Sequence, residues 1–333
     1  MHCGLPFYVD QQECQLTASI GIVVCPDNGV DAQTLLKNAD IAMYRAKNLG
    51  KNGFQFYADS NDTRSAERMG LEARLGRGIA QNEFILHYQP KIDLQTGGIT
   101  GLEALVRWQH PERGLLAPIH FIGIAEETSL IVPLGRQILE IAFQDGALLQ
   151  AQFTQPLRIA VNLSARQLDD IDFLDDIKRL IAMPRAQSML LDLEITESMV
   201  MLNPEQAVRI MTELQAMGIR LVIDDFGTGY SSLAYLKRFP VHSLKIERSF
   251  VQDIPNDAND TAITQAIIAV GRSLGLRVIA EGVETERQMH ALQAFGCDEF
   301  QGYYFSRPLG LGALNALLAR HLPMLPEPKH AIL

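Results

Sequence analysis

From Phe84 onward, short apolar runs of strand character alternate with longer stretches of helical spacing, and few folds accept that rhythm. The strand-like runs are Phe84–Gln89, Ile99–Arg107, Leu157–Leu163, Met189–Glu194, Arg220–Asp224, Ser243–Ile246, Leu276–Glu281 and Asp298–Gln301. Ser164 with Gln167, Asn203-Pro204 with Gln206, and Thr285 with Gln288 read as helix starts, while Gly218 and Gly275 read as stops. Ala207, Ile210, Met211, Leu214 and Met217 share one helical face, as expected for a helix laid on a sheet. Eight such β/α units predict an α/β fold of the TIM-type (β/α)8 barrel class, spanning residues 83–322. One departure follows from spacing alone. Only nine residues, including Gly97-Gly98, separate Gln89 from Ile99, too few for a crossover helix, so the first strand should run antiparallel to the second.

Ahead of the barrel, residues 1–57 form a smaller α/β piece. Leu16, Ala18, Ile20, Ile22 and Val24 alternate with Thr17, Ser19, Gly21 and Val23, the mark of a strand with one apolar face. Asp31 with Thr34 opens a helix bearing Leu35, Leu36, Ala39, Met43 and Ala46. Gly50 and Asn52-Gly53 end it, and the strand Phe54-Gln55-Phe56-Tyr57 follows. Residues 58–82 read as a stiff connector helix, and residues 323–333, with Pro326 and Pro328, as a frayed tail.

The net charge of −10 and the lack of a basic stripe argue against duplex nucleic acid as a partner. No apolar run approaches the ~20 residues of a membrane span and no signal-peptide pattern is present, so a cytoplasmic location without membrane contact is expected. Cys3, Cys14, Cys25 and Cys297 lack metal-ligand spacing, and the eight histidines are scattered. Carboxylates remain as the chemistry-bearing groups.

They collect where a barrel keeps its chemistry. At the C-terminal ends of the expected strands stand Glu103, Asn162, Glu194, Asp224 with Asp225, Lys245, Glu281 and Gln301. Each has a plain alternative. Asn162 suits a turn before the Ser164 cap, Lys245 can snorkel outward, Gln301 can be a satisfied strand end, and Glu281 and Glu284 suit a helix start. Asp224-Asp225 before Phe226-Gly227-Thr228-Gly229 also fits an ordinary turn. Together, however, Glu103, Glu194, Asp224, Asp225 and Glu281 would crowd one mouth with negative charge, which calls for protons or divalent cations. All-oxygen ligands favour magnesium, manganese or calcium over zinc. A two-metal site bridged by Asp224, with Lys245 beside the attacking water and Arg107 as a planar fork for phosphate, suits phosphoester hydrolysis.

Two resemblances add to this reading. Leu16-Thr17-Ala18-Ser19-Ile20-Gly21-Ile22, Asn38-Ala39-Asp40-Ile41-Ala42-Met43-Tyr44-Arg45-Ala46-Lys47 and Gly50-Lys51-Asn52 resemble the C-terminal third of a GGDEF (diguanylate cyclase) domain. The Gly-Gly-Asp/Glu-Glu-Phe signature does not occur in the sequence, so cyclase activity is not expected of it. Tyr88-Gln89-Pro90, Glu103-Ala104-Leu105-Val106-Arg107-Trp108, Val161-Asn162-Leu163-Ser164, Glu194-Ile195-Thr196-Glu197, Asp224 to Gly229, Leu244-Lys245-Ile246, Glu281-Gly282-Val283-Glu284 and Gln301-Gly302-Tyr303 resemble the motif set of EAL-domain cyclic-di-GMP phosphodiesterases.

The second resemblance implies a TIM-like barrel with a reversed first strand, agreeing with the spacing argument. It also implies hydrolysis of cyclic di-GMP to linear 5′-pGpG with two Mg2+ or Mn2+ ions, calcium binding but inhibiting. The implied metal ligands are Glu103, Asn162, Glu194, Asp224 and Asp225. Lys245 would hold the water, Glu281 would be general base or metal partner, and Gln301 would support it. Gln89, Leu105 and Arg107 would contact substrate. Glu197 would tether the loop 226–232, coupling it to a homodimer interface, and Glu284 would back the metal site. Lys91 stands where the family more often has Ile or Val, which touches only minor substrate contacts on this reading. The competing functions are a cyclic-di-GMP receptor without turnover and a protein-interaction scaffold.

Overall fold

A computed structural model describes residues 7–9, 12–14, 18–48, 53–57, 63–182, 190–228 and 233–322. Expectations placed on Leu16, Thr17, Gly50 to Asn52, Met189, Gly229 to Ser232 and the 323–333 tail lie outside the described residues. The chain divides into two compact units, Met1–Ala73 and Arg74–Leu333, and this boundary falls within the helix Thr63–Ala80, inside the stretch expected as a connector.

The second unit is the barrel. Its strands are β1 (Phe84–Asp93), β2 (Ile99–His110), β3 (Arg158–Asn162), β4 (Leu190–Thr196), β5 (Arg220–Phe226), β6 (Ser243–Ile246), β7 (Arg277–Ala280) and β8 (Glu299–Phe300). They pair in the order β1-β8-β7-β6-β5-β4-β3-β2, and pairing of β1 with β2 closes the ring. Strands β2 to β8 run parallel, whereas β1 is antiparallel to both neighbours. The short connection dictates this reversal. Asp93 accepts from the Gln95 and Thr96 N–H groups at 3.0 and 2.8 Å, and Gly97 takes a φ of +69°.

Some strand ends differ from expectation. β1 and β2 run on to Asp93 and His110 because the hairpin continues pairing, and Gly114–Leu116 adds to the far end of β2. β7 and β8 stop at Ala280 and Phe300, so Glu281 and Gln301 are the first residues past their strands, where side chains turn into the mouth. The helix signals hold. Ser164 with Gln167 and Thr285 with Gln288 form reciprocal capping boxes, Asn203 caps the helix that Pro204 opens, and Gly218 and Gly275 adopt positive φ.

Side chains two apart along a strand share a face, so the ring interior is layered. Glu103, Asp224, Gln89 and Gln301 line a cavity at the C-terminal mouth, while Lys91, Arg158, Asp192, Arg220, Arg277 and Glu299 line one at the N-terminal mouth. The aliphatic core lies outside the ring: Leu191, Leu193 and Ile195 of β4 are buried, as are Leu221 and Ile223 of β5.

In the first unit, Ser19–Ile22 pairs in parallel with Gly53–Phe56, and the helix Ala32–Asn48 starts with Asp31 accepting from Thr34 N–H at 2.9 Å. The alternation is as expected, but the packed face is the other one. A Cβ on Gly21 would lie 2.0 Å from the Ala39 carbonyl oxygen, so the helix rests on the glycine side. Ile20, Val24, Phe54 and Phe56 are instead 45–59% exposed, and Leu36, placed in the helical stripe, is 70% exposed.

Candidate active site

Lys245 organises the C-terminal mouth. Leu244 and Ile246 on either side pack outside the ring, so alternation sends the lysine inward, where it is fully buried rather than snorkelling. Its ammonium lies 2.5 Å from Glu281, 2.8 Å from Glu194, 3.3 Å from Asp224 and 3.5 Å from Glu103. One cation thus faces four carboxylates from four strands.

Adjacent aspartates in a regular strand would point to opposite faces. Here the β5–β6 register shifts between Ile223 and Phe226, and Asp225 takes a φ of +53°, a left-handed conformation uncommon outside glycine. The bulge turns both carboxylates to the same end of the barrel. Carboxylate oxygens of Asp224, Asp225 and Glu281 come within 4.8 Å of one another. Such a convergence of hard oxygen donors at a half-open mouth fits a divalent cation.

Around this centre, the Asn162 amide donates to Glu103 Oε1 at 2.8 Å, so Asn162 joins the site rather than serving only as a turn residue. Gln301 Nε2 donates to Glu103 Oε2 at 2.5 Å and to Gln89 Oε1 at 2.9 Å, and Gln89 in turn donates to the Ser306 carbonyl. Gln301 Oε1 is buried and has no partner. Leu105 lines the same cavity, which encloses about 240 Å3. Arg107 is half-buried and donates to the Val106 carbonyl at 2.8 Å. Glu197 is buried beside the site, and its carboxylate accepts from the Gly227 N–H at 3.0 Å, at the head of the loop that leaves β5. Glu284 is half-exposed and pairs with Arg248 at 2.9 Å.

Protonation follows burial and charge. Burial pushes the Glu281 carboxyl up to about 8, with Asp224 and Glu103 adding to the rise and Lys245 opposing it. Burial likewise raises Glu103, Asp224 and Asp225. Glu194 behaves oppositely. Burial alone would raise it, but Lys245 and Lys91 outweigh that and bring it down to about 2. Burial also disfavours the Lys245 ammonium, yet the carboxylates around it hold its pKa well above the ordinary lysine value.

Lys91 is the residue that sequence reasoning misplaced. It is not a minor substrate contact: it is buried, and its ammonium lies 2.6 Å from Glu194 Oε1 while Lys245 takes the other oxygen. Because β1 runs backwards, the position two after Gln89 lies deeper in the barrel instead of nearer the mouth, on the same inward face. That parity was readable once the strand's direction was fixed.

Residues 72–308 match the EAL domain, and residues 2–53 match the diguanylate cyclase GGDEF domain. The chain belongs to the EAL domain family. The bifunctional diguanylate cyclase/cyclic di-GMP phosphodiesterase MucR of Pseudomonas aeruginosa is 40% identical over 314 residues, covering 94% of this chain and 46% of that protein. Cyclic di-GMP phosphodiesterase NbdA of the same organism is 41% identical over 313 residues, covering 94% of this chain and 40% of that protein. This EAL chain therefore spans less than half the length of these curated relatives. Among solved structures, the PaMucR phosphodiesterase in complex with c-di-GMP superposes with a TM-score of 0.70 at 41% identity, covering 74% of this chain and 99% of that one. The FimX EAL domain of P. aeruginosa bound to c-di-GMP gives a TM-score of 0.65 at 25% identity, covering 71% and 95%.

Proposed function

We propose that this EAL barrel is a metal-dependent phosphodiesterase that opens cyclic di-GMP to linear 5′-pGpG, working in the cytoplasm as a homodimer through the barrel. The observation that carries the reading is the convergence of Asp224, Asp225 and Glu281 at one mouth, beside an ammonium already bound to four carboxylates. The likeness to phosphodiesterases and to structures holding c-di-GMP supports the choice of substrate.

Glu103, Asn162, Glu194, Asp224 and Asp225 would hold two Mg2+ or Mn2+ ions, with Glu281 able to join the set. Bound there, the cations supply Lewis acidity toward phosphate and lower the pKa of water. Ca2+, preferring longer bonds and looser geometry, would occupy the ligands without supporting turnover. Lys245 offers a fixed donor to the attacking water and offsets charge without leaving its place. Glu281, 2.5 Å from the Lys245 ammonium at the same mouth, would take the proton that water sheds on bonding to phosphorus. The P–O3′ bond breaks, the 3′ oxygen leaves and takes a proton from solvent or back from Glu281, and the 5′-phosphate stays on the product. Gln89, Leu105 and Arg107 would contact the substrate, Gln301 would hold Glu103, Glu197 would tie the loop head at Gly227, and Glu284 would stand at the rim.

Incubation of purified protein with cyclic di-GMP in Mg2+, Mn2+, Ca2+ or EDTA, followed by chromatography of the nucleotides, tests this. Conversion to pGpG with Mg2+ or Mn2+ only is the expected result. Retention of intact nucleotide without product supports a receptor instead, and neither binding nor product supports a scaffold.

A further inference from the structure

A cyclic dinucleotide carries two phosphodiesters and therefore two negative charges. The proposed cations account for the phosphate that reacts. The other must sit over a mouth crowded with carboxylates, where it would be repelled unless a cation meets it. Lys245 is fully buried and committed to Glu103, Glu194, Asp224 and Glu281, and Lys91 lies beneath Glu194. Arg107 gives a guanidinium N–H to the Val106 carbonyl.

Among the described residues that line the mouth cavity, Arg248 carries the one cationic side chain. It lines the same cavity as Glu103, Asp224, Glu281, Gln301 and Tyr303. Its present partner is Glu284 at 2.9 Å, and both side chains are about half exposed, 54% and 45%. An ion pair so open to water is weak and easily exchanged for another anion. The stem of Arg248 is nevertheless well placed. Glu247 caps the short helix Arg248–Gln252 by accepting from Ser249 N–H at 2.7 Å, which fixes the start of that helix. Gly282, at a φ of +69°, leaves room where a Cβ would lie 2.3 Å from Arg248 Cγ, so the arginine lies directly across the turn that carries Glu281. The result is a rigidly rooted side chain whose planar, multidentate head is held by an exchangeable contact.

We propose that Arg248 determines specificity by leaving Glu284 and taking the non-scissile phosphate of the cyclic dinucleotide. This rests on the phosphodiesterase reading of the same site. Arg248 touches neither the reacting phosphorus nor the water, so its contribution goes to substrate binding and to choosing two-phosphate rings over simple diesters.

The experiment compares cyclic di-GMP with bis(p-nitrophenyl) phosphate, a diester with a single phosphate, in wild type, Arg248→Met, Arg248→Lys and Glu284→Gln under saturating Mn2+. Arg248→Met should raise KM for cyclic di-GMP about tenfold or more with kcat within about twofold. Its kcat/KM for the single-phosphate diester should stay within about twofold of wild type, Arg248→Lys should recover part of the loss, and Glu284→Gln should lower KM. Equal losses on both substrates, or no loss on either, would overturn the proposal. If wild type turns over neither substrate, the phosphodiesterase reading fails by itself, and Kd for cyclic di-GMP then decides. An Arg248→Met effect of about tenfold on Kd upholds the phosphate contact, and an unchanged Kd, or a wild type that does not bind, overturns it.

Discussion

The two mouths of the barrel are built from the same strands, two to four residues apart, yet they treat charge in opposite ways. At the N-terminal mouth, Arg158 lies 2.5 Å from Asp192, and Arg277 bonds Asp93 at 3.1 Å and Glu299 at 2.9 Å. Cations and carboxylates there are matched, and neighbouring arginines lower the pKa of His242 below its ordinary value, after burial. At the C-terminal mouth, Glu103, Glu194, Asp224 and Glu281 share the one buried ammonium of Lys245, with Asp225 beside them, Lys91 below and Arg248 at the exposed rim. A fold selected for stability alone would match charge at both ends, because an uncompensated buried charge is expensive. The unmatched end is therefore where the proposed chemistry is placed, and added cations are what would balance it.

The largest effect that could break this contrast is on catalysis. Asp224→Asn should reduce turnover of cyclic di-GMP by about three orders of magnitude. The metal-free variant should melt no lower than wild type, since one repelling carboxylate has gone. Retained activity with normal metal dependence would remove Asp224 from the proposed metal ligands.

Lys91→Met tests whether the ammonium beneath Glu194 belongs to the upper layer. Stripping one buried partner from Glu194 should cost about 3 kcal/mol in EDTA, and less under saturating Mn2+, which can replace the lost charge. Chemical denaturation with and without metal measures both. An equal loss in the two conditions would assign Lys91 to the static core.

Acidity sharpens the same comparison. Glu281 rises from an ordinary 4.5 to about 8 in the fold, so between those values the folded state holds more protons than the unfolded one. Metal-free stability should therefore fall as pH rises from about 4.5 to about 8, and Glu281→Gln should flatten that slope. Glu194, lowered to about 2, contributes with the opposite sign: its stabilisation is lost as pH falls from 4.5 through about 2. A slope near neutrality that Glu281→Gln leaves unchanged would show that Glu281 is not its source. The smallest effect belongs to the matched end. Arg277→Leu, whose side chain is about half exposed, should cost about 1 kcal/mol and leave kcat within about twofold.

Much of this was legible in the sequence because local signals and tertiary demands agree. The reversed first strand came from nine residues that cannot hold a helix, and the capping boxes at Ser164 and Thr285 fold as written. The mouth residues were findable from strand-end position alone. Three features were not. Parity cannot foresee a bulge, so the joint placement of Asp224 and Asp225 needed the φ of +53° at Asp225. The depth of Lys91 followed from the direction of its strand, but its contact with Glu194 across the ring did not. Arg248 meets Glu284 only through the packing of its stem on Gly282, 34 residues away in sequence. In the first unit the apolar alternation indicated a strand, but Gly21, not the apolar stripe, decided which face the helix covers.

The most direct test of the charge contrast is calorimetric titration of Mn2+ into EDTA-stripped protein at neutral pH. Saturable binding is expected, with release of protons as Glu281 ionises, greatly weakened by Asp224→Asn and unchanged by Arg277→Leu. A wild type that takes up no metal at millimolar concentrations, or binding that is indifferent to Asp224→Asn, would contradict the account.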